Sequence, residues 1–174
     1  MVGEEWLLLS PMQVVLFRSM LDAMSLMRKL KMIENIFIKE VNSAVIIRAD
    51  FSSDGIEFFT PGDFSQQLGY MNRPKGYVIP PHVHNAVPRE VSFTKEVLFI
   101  KSGLVRVDFY DEDQSYQESR ILNSGDVILL AFGGHGFEMI EPSEIIEVKQ
   151  GPYAGENDKT RFNPVSSDLV VIKD

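Results

Sequence analysis

Cysteine is missing from the 174 residues. Disulfides, a thiolate nucleophile and any Cys-ligated metal are therefore excluded, and a reducing compartment is the natural setting. Positive charge is scarce: 17 Lys and Arg face 25 Asp and Glu, a net charge of −8. Such a chain repels phosphate backbones, so no nucleic-acid partner is expected. Long apolar runs are lacking too. MVGEEWLLLS starts acidic where a signal peptide needs a basic start, and its apolar run is four residues long. The next stretch, MQVVLF, is cut by Arg18, far short of the ~20 residues of a membrane span. The expectation is a cytoplasmic protein with no membrane partner. With 44% hydrophobic and 24% charged residues the composition is that of a globular chain. At this length a single domain can bury roughly 70% of its unfolded surface.

Residues 11–31 form the one convincing helical pattern. Ser10 is placed as N-cap, and Pro11 occupies the first helical position, where its missing N–H costs little. Val14, Phe17, Leu21, Met24 and Met27 recur at helical spacing, and Arg28, Lys29 and Lys31 suit the C-terminal dipole. The methionines at 12, 20, 24 and 27 read as packing residues.

From residue 36 the pattern changes to short β-type runs: IFIKEV, SAVIIRADF, GIEFFT, QLGYMNR, GYVIPPHVH, KEVLFI, LVRVDFY, ESRIL, DVILLAF, GFEMI, EIIEVKQ and a final LVVI. Between them lie SSDG, TPGD, NRPKG, KSG, DEDQS, NSGD, GGHG and EPSE, which are turn chemistry. Close-spaced strands without a second long helix predict an all-β sandwich or barrel. The expected organisation is a helical segment, 1–35, followed by one β domain, 36–174.

Only three histidines occur, His82, His84 and His135. On a strand, residues i and i+2 share a face about 7 Å apart, so His82 and His84 could converge on one ion. Glu96 opens KEVLFI on the face of Leu98 and Ile100, and the KSG turn gives that strand a rigid seat. It is preferred as a carboxylate ligand to Glu90, which follows Pro88 in loop-like sequence; Glu90 and Arg89 are candidates for the rim. His135 sits where an apolar run meets Gly133 and Gly134, whose freedom allows a sharp bend and close approach to another element. Glu138 is a candidate to orient His135.

These residues carry a resemblance to the cupin superfamily. The family's first motif is Gly, five residues, His-x-His, three or four residues, Glu, six residues, Gly. Here Gly76 precedes His82 and His84 by that spacing, and Glu96 precedes Gly103 likewise, but eleven residues separate His84 from Glu96. The second motif is Gly, five residues, Pro-x-Gly, two residues, His, three residues, Asn. Here Gly125 leads to Ala131, Gly133 and His135, with Ala131 in place of proline, one residue fewer before His135, and Met139 in place of asparagine. The motifs cover 76–139, and the strand pattern extends the likeness over most of 36–150.

The resemblance implies a double-stranded β-helix, a small jelly-roll barrel, with an N-terminal helix in addition. It implies one divalent transition metal ion held by His82, His84, Glu96 and His135. Three imidazoles and a carboxylate suit Fe, Mn, Ni, Co or Zn and suit Ca or Mg poorly. It also implies a small-molecule ligand and a homodimer. The likeness to small bacterial cupins of surface-polysaccharide and sugar metabolism points to an enzyme on a sugar or sugar-nucleotide-like metabolite, of isomerase or epimerase type. The alternatives are an iron-dependent dioxygenase and a non-catalytic metal- or ligand-binding module. Glu147 and Lys149 share one strand face, as a barrel-facing acid/base pair or a solvated face. Together with Tyr153 they are the catalytic candidates. Lys159 and Arg161 lie in a Gly/Pro-rich loop placed to cap the barrel mouth, where Arg161 could meet an anionic group.

Overall fold

The computed structural model describes residues 11–152 and 154–173. They belong to two compact units that divide between Lys31 and Met32. The first contributes helix α1 (Pro11–Lys31), with the predicted boundaries. Val14, Phe17 and Leu21 of its apolar series are exposed; Ser10 lies outside the described residues. No described helix is long and apolar enough to cross a membrane.

The second unit is built from ten antiparallel strands: β1 (Ile33–Ile38), β2 (Val41–Ile47), β3 (Gly55–Phe58), β4 (Gly69–Asn72), β5 (Glu96–Ser102), β6 (Leu104–Tyr110), β7 (Tyr116–Asn123), β8 (Val127–Leu130), β9 (Gly134–Met139) and β10 (Glu144–Lys149). They form a five-stranded sheet in the order β1-β2-β8-β5-β10, a three-stranded sheet in the order β7-β6-β9, and a β3–β4 hairpin. The all-β class is thus observed, with the single long helix at the N-terminal side.

Alternation explains the layers. Leu98 and Ile100 of β5, Val105, Val107 and Phe109 of β6, and Leu122 of β7 join Ile36, Ile46 and Ile128 in one buried cluster contributed by both sheets. Each such side chain contributes about 1.5–3 kcal/mol by leaving water. Strands β2 and β8 are buried on both faces, which is why SAVIIRADF and DVILLAF read as nearly continuous apolar runs. Their second face, Val45, Ile47 and Leu129, packs under Phe51 and Leu68. Phe51 meets the rings of Phe59 and Tyr70 edge-on at 5.2 and 5.0 Å.

Three sequence expectations change. IFIKEV is not one strand: Lys39 and Glu40 both take positive φ, 48° and 68°, and turn β1 into β2. A two-residue hairpin of that hand normally carries Asn-Gly, so Lys-Glu gave no signal. GYVIPPHVH forms no strand, and 73–95 is without regular structure. Pro80 and Pro81 have no N–H for a ladder, and each restricts the residue before it. The final LVVI makes only a single bridge, Ile172 to Ser119.

The sandwich is closed on one side and open on the other. Val105 of β6 lies opposite Leu122 of β7 and Met139 of β9. Val105 and Leu122 are fully buried, yet Met139 is 49% exposed and Phe137 37%. β9 is one edge of its sheet, with β7 the other, and β10 is one edge of the larger sheet, with β1 the other.

Candidate functional site

Glu96 is the first residue of β5 and points, with Leu98 and Ile100, to the face between the sheets. His135 is the second residue of β9 and lies opposite the buried Phe109, so it points to the same interior. The two sheets thereby bring Glu96 and His135 together: Nε2–H donates to Oε2 at 3.1 Å. Lys149 of β10 stands opposite Glu96, its Nζ 3.9 Å from Oε1 and 3.6 Å from Oε1 of Glu147. Glu147 lies opposite Leu98. Glu147 and Lys149 are therefore on the interior face, at its open margin.

The hydrogen bond from His135 holds the Glu96 carboxyl below the usual carboxylate range. Burial opposes this, while the charges of Lys149 and Lys159 reinforce it. A half-buried carboxylate among cations stays ionised.

Both residues line a cavity of about 470 Å³. Its wall includes Phe93, Thr94, Tyr110, Phe132, Lys159 and Arg161, so residues 158–162 border the site. Thr94 donates to Asp158 at 3.1 Å, tying the two rims together. The Tyr110 ring packs edge-on against Phe162 at 5.0 Å, and its hydroxyl accepts from the Val165 amide at 2.9 Å. Burial raises the Tyr110 pKa, so the phenol keeps its proton. Gly133 makes the predicted close approach: its φ is +75°, and a Cβ there would lie 2.6 Å from the Tyr110 carbonyl oxygen. Thr94, Tyr110 and Asp158 were not singled out from the sequence. Tyr110 ends an ordinary apolar strand, and the other two are isolated polar residues in loops.

The remaining candidates lie elsewhere. His82 and His84 are on the exposed 73–93 part of the 73–95 segment with Arg89 and Glu90. Their rings meet edge-on with centroids 5.3 Å apart. His82 Nδ1 lies 3.0 Å from the Pro80 carbonyl oxygen; a proton there leaves Nε2 as the lone pair a metal requires. Among the described residues no three His, Asp or Glu side chains are grouped to hold a metal ion. The expected ligands are thus two pairs rather than one set. Glu138 does not orient His135, because it lies three residues along a strand of period two and faces the other way. There it pairs with Arg106 at 2.7 Å. Tyr153 lies outside the described residues.

No family model, curated protein or solved structure matches this chain.

Proposed function

We propose that the chain is a metal-binding protein of the cupin kind that acts on a small anionic metabolite, such as a sugar phosphate or sugar nucleotide, by isomerase- or epimerase-type proton transfer. The observation that carries this reading is the Glu96–His135 pair in a cavity also lined by Lys159 and Arg161. The wall carries Lys159 and Arg161 beside Glu96 and Asp158, so it offers cations to an anionic group and carboxylates to hydroxyls of one polar metabolite.

The donor types fit the implied ion: His82, His84, Glu96 and His135 form an N₃O set suited to Fe, Mn, Ni, Co or Zn. Within one chain their placement does not fit, since Glu96 and His135 satisfy one another and the other two histidines stand on the exposed segment. The chain's own contribution is proton handling and orientation. Glu96, ionised and accepting from the imidazole at 3.1 Å, can orient His135 and favour a proton on that ring, and Glu147 beside Lys149 offers an acid/base pair. Lys159 and Arg161 would orient an anionic group, and Phe93 and Phe132 form the apolar part of the wall.

Elemental analysis of untagged protein, beside His82→Ala, Glu96→Gln and His135→Ala, tests the metal. Near-stoichiometric Fe, Mn, Ni, Co or Zn that falls in all three variants is the expected result. Proton chemistry is tested by incubating sugar phosphates and nucleotide sugars in D₂O and following C–H exchange by NMR. Exchange that disappears in Glu147→Gln or Lys149→Met supports the reading. A metal-loaded protein that exchanges nothing but consumes oxygen with iron would overturn it in favour of dioxygenase chemistry.

A further inference from the structure

We propose that residues 151–161 form a lid on the Glu96–His135 cavity, that the hydrogen bond between Thr94 and Asp158 is its latch, and that it lifts from a fixed base at Phe162. Its use as a lid rests on the reading of that cavity as the functional site. The latch and the base belong to the loop itself.

Both ends of this loop are fixed. Where it leaves β10, the Gln150 amide donates to the Lys95 carbonyl at 3.3 Å, and the Lys95 amide donates to the Gln150 side-chain oxygen at 3.1 Å. The Gln150 side-chain amide donates in turn to the Ser65 hydroxyl at 3.0 Å. Where the loop returns, the Phe162 ring lies against Gly134. A Cβ added there would stand 3.0 Å from the Phe162 ring and 3.2 Å from Cβ of Tyr110, so the bare glycine is the socket for the ring. The chain beyond Phe162 is tied to β6 and β7. Val165 N–H donates to the Tyr110 hydroxyl at 2.9 Å and Val171 N–H to the Tyr116 hydroxyl at 2.8 Å. Ser119 N–H donates to the Val171 carbonyl at 2.9 Å and Lys173 N–H to the Ser119 carbonyl at 3.0 Å. Lys173 also pairs with Glu118.

Between these ends the loop is the wall of the cavity, through Asp158, Lys159, Thr160 and Arg161. Here the tie is slight. The Thr94 hydroxyl donates to the Asp158 carboxylate at 3.1 Å, and both residues are half-buried at the rim. Lys159, Thr160 and Arg161 line the cavity and are also exposed, so the wall is one chain thick. Residues 158–161 carry no apolar side chain, and lifting them takes nothing apolar out of a core. One hydrogen bond therefore holds the middle, while several hold each end. A metabolite enters when the bond opens and is covered when it re-forms, with Lys159 and Arg161 carried onto it.

Arg161 is also a place where trypsin can read the lid. Pinned at Asp158 and Phe162, the stretch between them cannot extend into a protease cleft, so cleavage after Arg161 follows the open population. The full chain is digested under native conditions, and this cut is timed by mass spectrometry against cuts after the ion-paired Arg106 and Arg120 of the body. Thr94→Val should speed the cut about tenfold, and Thr94→Ser should restore the wild-type rate. Asp158→Ala should match Thr94→Val and add nothing to it in the double variant. Gly134→Val, which evicts the Phe162 ring from its socket, should speed the cut with the latch intact. An unchanged rate in Thr94→Val overturns the latch, and an unchanged rate in Gly134→Val overturns the base at Phe162. Equal acceleration after Arg106 and Arg120 would mean that the loop opens only when the body unfolds, which overturns the lid. Glucose 1-phosphate, as an anionic probe, should slow the wild-type cut in proportion to its occupancy. A latch that behaves as expected with no slowing by the probe would refute the anionic-metabolite reading and leave the latched loop standing. Slowing by the probe with a cut indifferent to Thr94→Val would refute the latch and spare that reading.

Discussion

The two neighbours of β6 bring similar side chains to the same interior, and they meet different fates. Leu122 on β7 is fully buried, whereas Met139, across β6 at the same level, is half exposed. Apolar character and strand parity are alike on the two sides. Both strands are edges of their sheet; what differs is the cover: Leu122 sits in the buried cluster shared with the five-stranded sheet and β7 carries the Ile172 bridge, whereas among the described residues no strand or bridge lies beyond β9. Burial is a property of the neighbourhood, and alternation only nominates the residues that could acquire it.

The comparison can be broken or sharpened in several ways. The largest effect is expected at Phe109→Ala on the closed side. It should cost about 3–5 kcal/mol in urea unfolding, because the cavity left behind cannot collapse. Phe137→Ala, one strand across, should cost less, about 1–2 kcal/mol, since its ring is already 37% exposed and leaves no sealed cavity. A cost near that of Phe109 would show the open side to be closed after all.

Next in size is Asp126→Ala. Asp126 is 2% exposed and accepts from the amides of Ala49 and Asn123 and from Arg48. Removing it strands these donors and should cost about 3 kcal/mol. On the open margin the Glu147–Lys149 pair is half solvated, so Lys149→Met should change stability by no more than about 0.5 kcal/mol. Thermal melts of both variants give the contrast directly. A large loss at Lys149 would mean that its environment is closed in solution.

The smallest effect concerns pH. The Glu96 carboxyl is depressed in the folded chain from the ordinary 4.5, first of all by the hydrogen bond from His135. A depressed acid stabilises the fold at pH above its unfolded value, and that contribution fades as pH falls through the folded value. Urea midpoints measured from about pH 6 down to pH 3 should therefore decline less steeply in His135→Ala than in the wild type. Equal slopes would remove His135 as the cause.

Much of this architecture was legible beforehand. Pro11 at the start and the basic end at Lys31 bracketed α1 because first-turn proline and dipole effects are local. Glu96 and His135 were singled out, as metal ligands, from parity along a strand and a Gly-Gly bend, which are also local signals; what the structure shows of them is that they meet. Glu138 was misassigned as a support for His135 by overlooking that same parity. The hairpin at Lys39–Glu40 was hidden because neither residue is a habitual left-handed one, and register with β2 imposes the turn. His82 and His84 were read as a strand because HVH alternates; the two prolines before it outweighed that alternation.

The sequence by itself determined the class of elements, the interior face of each strand and the residue types available for chemistry, since these depend on periodicity and on side-chain identity. Only the tertiary structure decided which candidates meet. Glu96 and His135 are 39 residues apart and touch because two sheets stack, while His84, closer to Glu96 in sequence, is held apart on an exposed arm. Proximity across a sandwich is set by strand order and register, which arise from the packing of the whole chain and leave no local trace.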